Sequence, residues 1–358
     1  MNEFFCKTKI ISGSGAIAAL QSLHIQRLFL VCDPFFYQNG TADSIVEAEK
    51  TEAFHIFRQV VPDPSVTLAA QGAAAVREFK PDAVVALGGG SAMDSAKAMA
   101  YFSGLHPRLV AIPTTSGSGS EVTNFAILTH EGVKHPLVDA SLQPEVAILD
   151  DDLVGSLPPA LIADGGFDLI SHALEAYVAL NASPLSDLLG EKAFAAAMEH
   201  LSASFSGETA VRGEIHTAAT MAGIAFSNAG LGLCHAISHS LGGEYHIPHG
   251  RLNAILLPAV MDCNAKEALG KYAKLAKSVG LSSGSDVMAV RALKNTLLRL
   301  RRNLQLPENL SQCGVSIPPE KMEALVDSTL ADPCCATNPR KPNREMVRSI
   351  LREVSGHG

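Results

Sequence analysis

The sequence predicts a doubly wound α/β domain followed by an all-helical domain. Short β-rich apolar runs recur through the first 150 residues, and helix-like segments such as "VTLAAQGAAAVREF" separate several of them. Strands that are apolar throughout and alternate with helices are typical of a parallel sheet covered on both faces. After "GSLPPALIAD" the strand signals nearly vanish and Ala, Leu and Met recur at helical spacing, which predicts helices for the remainder.

Five strands are predicted in the first domain, and the domain boundary is predicted near Leu157–Pro159. The strands are "RLFLVCD" (27–33), "FHIFRQVV" (54–61), "DAVVALGGG" (82–90), "LVAIPTT" (109–115) and "EVAILD" (145–150). We expect residues 1–157 to form the α/β domain and residues 158–358 to form the helical domain. The motifs described below predict dinucleotide binding for the first domain, and metal binding and catalysis for the second.

Composition and charge exclude several classes of protein. The chain of 358 residues carries a net charge of −8 and has no block of Lys or Arg, so we expect no nucleic-acid partner. It has no run of about 18 apolar residues, so we expect no membrane span. The N-terminal "MNEFFCKTKI" is too short and too charged for a secretory signal. The seven cysteines form no C-x-x-C pair, which predicts reduced thiols in the cytoplasm and argues against a thiolate zinc site or an iron–sulfur cluster.

Two loops rich in Gly, Ser and Thr follow predicted strands. In "ALGGGSAMDSAK" (86–97), Gly88 to Gly90 let the backbone approach a ligand, and Ser91 can cap a helix whose amides favour a phosphate. A capped glycine turn without a ligand explains this loop equally well. In "IPTTSGSGSE" (112–121), hydroxyls and free amides at the end of a strand suit a diphosphate or a ribose, and a polar surface turn is the alternative.

A third glycine segment, "GSGAIA" (13–18), fits the dinucleotide pattern G-x-G-x-x-A, and Asp33 lies twenty residues after Gly13. An isolated match of this kind is a weak signal. Whichever loop binds the diphosphate, Asp33 ends a strand, where its carboxylate can accept a hydrogen bond from a ribose hydroxyl and repel the extra phosphate of NADP. A simple turn residue before Pro34 is an equally good interpretation of Asp33.

Histidine and aspartate recur at helical spacing in the second half. "GFDLISHALEAYV" (166–178) reads as a helix in which Asp168 and His172, four apart, share a face. His235 and His239 are also four apart, and His249, between Pro248 and Gly250, is predicted in a loop. Any one such pair is more often a surface hydrogen bond or a core residue than a metal site, but several pairs in one domain favour a metal. Imidazole and carboxylate together suit iron or zinc.

The ordered set of motifs resembles the iron-containing (group III) alcohol dehydrogenases over nearly the whole chain, down to "TNPR" (337–340). The segments that carry the resemblance are "GGGSAMDSAK", "PTTSGSGSEVT", "GFDLISHALEAY" and "GLGLCHAISHSLGGEYHIPHG". Within that family, "MNEFFCKTKIISGSG" and "AGIAFSNAGLGL" most resemble the microcompartment-associated propanol and ethanol dehydrogenases of propanediol and ethanolamine utilisation. The resemblance implies the dehydroquinate synthase-like fold, with the metal in the cleft between the two domains.

The resemblance also implies roles for individual residues. The implied metal ligands are Asp168, His172, His235 and His249. His239 is implied to be a catalytic residue near the nicotinamide, and His246 matches no ligand position. The implied cofactor contacts are Asp33, Asp63, Gly89, Gly90, Ser91, Asp94, Thr114, Thr115, Ser118 and Lys134. "GSGAIA" then becomes a simple strand–turn–helix.

Two positions depart from the family pattern. Gly165 and Ser118 each stand where the family usually has Thr. Gly165 lies close to Asp168, so we expect it to loosen the start of that helix and to weaken metal binding, although no ligand is lost.

The resemblance implies a metal-dependent alcohol dehydrogenase that transfers hydride between NAD(H) and a short primary alcohol or aldehyde, with propanal or acetaldehyde as the expected substrate. Fe²⁺ is the expected metal and Zn²⁺ the alternative. The expected partners are a second copy of the chain, in a homodimer or higher homo-oligomer, and the enzymes or shell of a bacterial microcompartment. A zinc-dependent polyol oxidoreductase similar to glycerol dehydrogenase and a non-catalytic nucleotide-binding component of a microcompartment are the competing functions.

Overall fold

The computed structural model describes residues 3–49, 51–281 and 284–356. The chain divides into two compact units. One runs from Phe5 to Leu157 and is called the sheet unit here. The other, called the helical unit, begins at Pro158, and it also includes Glu3 and Phe4, which the sequence assigned to the first domain.

The sheet unit contains a six-stranded, all-parallel sheet and a separate two-stranded antiparallel hairpin. The strands are β1 (Lys9–Gly13), β2 (Arg27–Cys32), β3 (Ala53–Phe57), β4 (Ala83–Gly88), β5 (Arg108–Pro113), β6 (Phe125–His130), β7 (Val133–Val138) and β8 (Val146–Asp150). The order in the large sheet is β1-β8-β5-β4-β2-β3, and β6 pairs with β7. The α-helices of this unit are α1 (Pro34–Gln38), α2 (Thr41–Glu49), α3 (Val66–Phe79), α4 (Gly90–Ser103) and α5 (Asp151–Val154). Short 3-10 helices span Ala16–Leu23, Ser120–Val122 and Ala140–Leu142.

Alternate residues of the central strands belong to different hydrophobic clusters. Leu28 and Leu30 of β2 pack in one cluster with Ile45 of α2, whereas Phe29 of the same strand packs in another with Met99 of α4. Because successive side chains of a strand point to opposite faces, both faces of the sheet are buried. This confirms the predicted parallel sheet with flanking helices.

All five predicted strands lie in the large sheet, but the sequence analysis missed β1 and the hairpin. β1 is an edge strand whose side chains are largely exposed, so it lacks the apolar run of a buried strand. β7 contains Pro136 and is mostly exposed, so its composition argued against a strand. Glu131 and Gly132 form the turn of the hairpin, and both have a positive φ. The glycine at this turn is the sequence signal that could have revealed the hairpin.

The helical unit consists of helices and their connections over the described residues. Its α-helices are α6 (Pro159–Val178), α7 (Pro184–Phe205), α8 (Arg212–Ala229), α9 (Leu233–Tyr245), α10 (His249–Ser278), α11 (Asp286–Asn303), α12 (Pro319–Ala331) and α13 (Arg344–Val354). Short 3-10 helices span Thr209–Val211, Ser311–Cys313 and Pro333–Thr337. Within the described residues no single helix is long and apolar enough to cross a membrane. The segment Thr209–Ala229, which contains α8, and helix α9 meet those criteria only as a pair that is bent by 104°.

Two details of this unit correct the sequence analysis. The helix that carries Asp168 begins at Pro159, because proline is well suited to the first helical position and Pro158 is extended before it. Gly165 therefore lies inside the helix and does not loosen its start. His249 was expected in a loop, but it is the first residue of α10, since the extended Pro248 precedes it directly as the helix cap.

Candidate active site

The glycine loop at residues 88–90 lies at the carboxyl ends of β2 and β4, which are adjacent in the sheet. The chain leaves β2 toward β3 on one side and later returns to β4 on the other, so this is a topological switch point, where α/β sheets bind ligands. Gly89 caps α4, and its N–H donates a hydrogen bond to the carboxylate of Asp33. Burial raises the pKa of Asp33, and this bond opposes the rise. The structure thus brings Asp33 to the glycine loop.

The 114–118 loop packs directly on the glycine loop. A Cβ added at Gly89 would lie 3.2 Å from Thr115 Oγ1, and one added at Gly90 would lie 3.3 Å from Ser118. The Thr114 N–H donates to the carbonyl of Gly88 at 3.0 Å. These close approaches explain why the 88–90 loop is made of glycine, and they bring the hydroxyls of Thr115 and Ser118 to the N-terminus of α4, where Ser91 also lies.

The carboxylate of Asp94 accepts hydrogen bonds from two residues of the protein. Its Oδ1 accepts from Ser120 Oγ at 2.8 Å and its Oδ2 accepts from Ile127 N at 3.1 Å. The carboxylate therefore ties helix α4 to the segment that follows the 114–118 loop.

Asp63 and Lys134, two of the cofactor contacts implied by the resemblance, form an ion pair with each other. Lys134 Nζ lies 2.7 Å from Asp63 Oδ1. Asp63 has a φ of 54°, and the neighbouring Pro64 carbonyl accepts a hydrogen bond from Thr129 N of β6. The pair joins the turn after β3 to the hairpin.

Two backbone amides of the G-x-G-x-x-A segment (13–18) already donate hydrogen bonds to carboxylates. Gly15 N donates to Asp150 Oδ1 and Asp152 Oδ2, and Ile17 N donates to Asp150 Oδ2 at 2.8 Å. A diphosphate would have to displace two aspartates and face their charge. The segment is a strand, a turn and a 3-10 helix, which supports the glycine loop at 88–90 as the diphosphate site.

In the helical unit, three imidazoles surround one carboxylate oxygen. Asp168 Oδ1 lies 3.8 Å from His172 Nε2, 3.9 Å from His235 Nε2 and 3.6 Å from His249 Nε2. The donor atoms of Asp168, His235 and His249 lie within 4.8 Å of one another. His172 stacks on His235 with ring centroids 4.5 Å apart, and on Phe226 on its other side. The four residues predicted as ligands from three helices therefore converge.

The carboxylate of Glu175 holds the His235 ring in place through the Nδ1 atom of the ring. This carboxylate accepts from His235 Nδ1 at 2.7 Å, from Gly232 N at 2.9 Å and from Cys234 N at 2.7 Å. Burial raises the pKa of Glu175 to about 7, and the amide hydrogen bonds oppose this. Because the amides of Gly232 and Cys234 donate one hydrogen bond to each carboxylate oxygen, the ionised carboxylate fits this environment and can also accept from His235. His235 Nδ1 then carries the proton, and Nε2 presents its lone pair toward Asp168.

The protonation state of His235 suits a metal ligand. Burial, and to a smaller extent the neighbouring His239, lower its pKa to about 3. The imidazole is therefore neutral at physiological pH, as coordination requires.

The start of α10 is held against α6, and this holds His249 near Asp168. Arg251 donates two hydrogen bonds to Asp164, at 3.2 and 3.0 Å. A Cβ on Gly250 would overlap the backbone of Asp164, so only glycine allows this approach. His249 Nδ1 pairs with Ser238 Oγ at 3.1 Å, which directs Nε2 toward the carboxylate.

His239 is oriented by a residue far away in the sequence. Its Nδ1 lies 2.8 Å from Asp332 Oδ2, and its ring stacks on His249 with centroids 5.2 Å apart. Burial alone would raise the pKa of Asp332, but hydrogen bonds from His239 and Cys334 hold it below its usual value. The charged carboxylate keeps the proton on Nδ1 and leaves Nε2 available to a substrate. His246, by contrast, is exposed and ends α9 with a φ of 54°.

Sequence reasoning missed three residues of this site, and one of them had a readable signal. Glu175 lies three residues after His172 and seven after Asp168, on the same face of α6. Asp332 and Asn253 had none, because their roles depend on tertiary contacts. Asn253 Nδ2 donates to Asp168 Oδ1 at 2.9 Å, which orients that carboxylate.

The donor set fits a divalent transition metal. One carboxylate and three imidazoles suit Fe²⁺ or Zn²⁺ and leave coordination positions for a substrate oxygen. Asp168 and His235 are nearly inaccessible to solvent, and each is oriented by a further hydrogen bond, which is typical of metal sites.

We expect Glu175→Gln to weaken metal binding by about 10- to 100-fold. The amide would keep the shape of the side chain, but its NH₂ group would face backbone N–H donors and disturb the orientation of His235. Metal content after dialysis against graded chelator measures the effect. Glu199→Gln is the control, since that side chain is 73% exposed. An unchanged metal affinity of Glu175→Gln would remove Glu175 from the site.

Comparison with known proteins identifies the family of the chain. The family model of the iron-containing alcohol dehydrogenases matches residues 7–151, and the C-terminal model of the Fe-containing alcohol dehydrogenase family matches residues 162–355. The chain is 40% identical to the 1-propanol dehydrogenase PduQ of Salmonella typhimurium, covering 99% of this chain and 100% of that protein. It is 35% identical to the NADPH-dependent butanol dehydrogenase of Clostridium saccharobutylicum, covering 99% and 98%.

A solved structure agrees with the fold. The iron-containing alcohol dehydrogenase of Thermococcus thioreducens superposes with a TM-score of 0.90 at 32% identity, covering 99% of this chain and 100% of that one. Sequence models, relatives and structure coincide over both units, so the competing interpretation as a non-catalytic component is wrong. The chain belongs to the iron-containing alcohol dehydrogenase family and is an oxidoreductase.

Proposed function

We propose that the protein reduces short linear aldehydes to primary alcohols with NADH, using an iron ion held by Asp168, His172, His235 and His249. The observation that carries this proposal is the convergence of three imidazole Nε2 atoms on Asp168 Oδ1, with the His239–Asp332 pair beside them. When bound, such an ion polarises a carbonyl oxygen as a Lewis acid.

The side chains of the helical unit have separate roles in this proposal. Glu175 and Asn253 orient two of the ligands and keep their coordinating atoms unprotonated. His239 donates its Nδ1–H to Asp332, and when Nε2 also carries a proton taken from solvent it can deliver that proton to the substrate oxygen as hydride reaches the carbonyl carbon, which leaves a neutral imidazole. Each turnover therefore consumes one aldehyde, one NADH and one proton, and produces one alcohol and one NAD⁺.

The proposed NAD(H) preference rests on Asp33. Its carboxylate lies against the glycine loop, and there it would accept a hydrogen bond from a ribose hydroxyl and repel a 2′-phosphate. Family membership does not decide this point, because the relative from Clostridium saccharobutylicum is named NADPH-dependent. The proposed cofactor contacts are the glycine loop, the 114–118 loop, and the pair Asp63 and Lys134.

We expect Asp33→Gly to relax the preference for NADH over NADPH, because the change removes a charge that opposes the extra phosphate. The ratio of kcat/KM for the two cofactors measures it. Asp33→Asn is the matched variant, since it removes the charge and keeps an acceptor for Gly89 N–H. If the unchanged protein uses NADPH as efficiently as NADH, Asp33 is not at the ribose.

The proposed substrate is an aldehyde of about two to four carbons. Each methylene added or removed should change the activation free energy that determines kcat/KM by about 1–3 kcal/mol. This rests on the names of the relatives, a 1-propanol and a butanol dehydrogenase. The test compares NADH oxidation with acetaldehyde, propanal and butanal against NAD⁺ reduction with glycerol, at equal iron and at equal zinc. Activity with propanal and iron supports the proposal. Inert propanal with rapid zinc-dependent glycerol oxidation would make the protein a polyol dehydrogenase.

We also propose that the protein is a cytoplasmic homodimer or larger homo-oligomer that works with the enzymes of a bacterial microcompartment. The support is the identity of 40% to PduQ and the family to which the chain belongs. Light scattering on a sizing column measures the mass, and co-purification with shell proteins tests the second part.

A further inference from the structure

Helix α4 carries a lysine that is almost fully buried. Lys97 is 1% exposed. Its Nζ lies 2.6 Å from the carbonyl of Ser120, and 2.9 Å from the carbonyls of both Thr123 and Phe125. The hydroxyls of Ser120 and Thr123 lie at 3.2 and 2.8 Å. Three carbonyl and two hydroxyl oxygens thus enclose one ammonium, and Lys is rarely buried to this extent without such partners.

The balance of charge around Lys97 keeps the group cationic. Burial lowers its pKa to about 8, and the carboxylates of Asp94 and Glu121 act in the opposite direction. The side chain is therefore mainly an ammonium at neutral pH. It donates charge-assisted hydrogen bonds to backbone carbonyl oxygens.

All five oxygens belong to residues 120–125, the segment that joins the 114–118 loop to strand β6. Asp94, one turn before Lys97 on α4, binds Ser120 Oγ and Ile127 N on the same stretch. Helix α4 itself begins at Gly90 in the glycine loop. The Lys97 and Asp94 contacts therefore set the register between the two loops, at the place where Gly89 and Gly90 touch Thr115 and Ser118.

We propose that Lys97 is a positioning residue for the dinucleotide. Its ammonium serves as a built-in monovalent cation that fixes residues 120–125 and thereby holds the 114–118 loop against the glycine loop. The inference rests on the proposed function, because it takes these two loops as the cofactor site. Lys97 contacts the loop and not the cofactor.

The oxygen cage makes this role open to chemical rescue. Lys97→Ala would leave a cavity lined by five oxygens that were spaced for an ammonium group, whereas the longer, uncharged side chain of Lys97→Met would fill it. A small alkylammonium ion should occupy the first cavity and not the second. Tetramethylammonium has no N–H donor and is too large, so it controls for ionic strength.

The experiment titrates NADH by fluorescence into the iron-loaded full-length protein and its variants, with ethylammonium or tetramethylammonium chloride at equal concentration. We expect the Kd for NADH to rise about tenfold or more in Lys97→Ala and Lys97→Met. Ethylammonium should restore most of the affinity in Lys97→Ala alone. Iron content should stay unchanged, since the ligands lie in the other unit. The KM for NADH should rise while kcat at saturating NADH changes little, which a general loss of structure would not produce.

Two further variants protect the test. Lys9→Met changes an exposed lysine of β1 and should bind NADH normally. Thr123→Val removes a single hydroxyl of the cage and should raise the Kd by a smaller factor even if the Lys97 variants fold poorly. Normal NADH affinity in the Lys97 variants, or in Thr123→Val when the others do not fold, overturns the inference. Failure of the unchanged protein to bind NADH would instead overturn the proposed function, and this inference with it.

Discussion

Replacing His235 or His249 by alanine is expected to abolish bound metal and activity together. Each ring presents Nε2 to Asp168 Oδ1, and Glu175 or Ser238 fixes the opposite nitrogen, so each substitution removes one oriented donor atom from the site. Removing even an outer partner of a metal ligand costs about 10- to 100-fold in affinity or activity, and loss of a ligand should cost more. Metal content per chain, measured beside aldehyde reduction, checks the result.

His246→Ala is the matched control for this prediction. That histidine lies in the same segment, but it is exposed at the end of α9. It should keep its metal and most of its activity. Full metal occupancy in His235→Ala, or an empty site in His246→Ala, would contradict the ligand assignment.

His239→Ala should lower activity while leaving the metal bound. We expect nearly stoichiometric metal and a loss of turnover of about 10²- to 10⁴-fold, because the ring supplies a proton-transfer group and not a coordinating atom. Asp332→Asn should lower turnover less, since the amide can still contact Nδ1 but no longer stabilises its proton by charge. The measurement is metal content and kcat on the same preparations. His239 becomes a ligand, and its proposed role fails, if His239→Ala loses the metal.

The sheet was largely predictable because its central strands are buried on both faces and therefore read as continuous apolar runs. β1 was not, because an edge strand with exposed side chains has no such run. The hairpin was missed for a related reason: β7 is exposed and contains proline.

At the site, helical spacing predicted that Asp168 and His172 share a face of α6, and that His235 and His239 share a face of α9. Spacing could not predict which side chain contacts the Nδ1 atom of each imidazole ring. Asp332 lies 93 residues from His239, and the contact exists only because the 3-10 turn after α12 packs against α9. No signal in the sequence indicated the role of Lys97, because the oxygens that surround it come from a 3-10 helix and the start of β6, 23 to 28 residues further along the chain.

The central claim is that the carboxylate and three imidazoles hold an iron ion on which NADH-dependent aldehyde reduction depends. The most direct measurement is the rate of NADH oxidation with propanal by anaerobically purified protein, before chelation, after chelation, and after addition of Fe²⁺. We predict that chelation abolishes the rate and that Fe²⁺ restores it in proportion to the metal bound, but restores none in His235→Ala. An undiminished rate in protein shown to be free of metal would contradict the account.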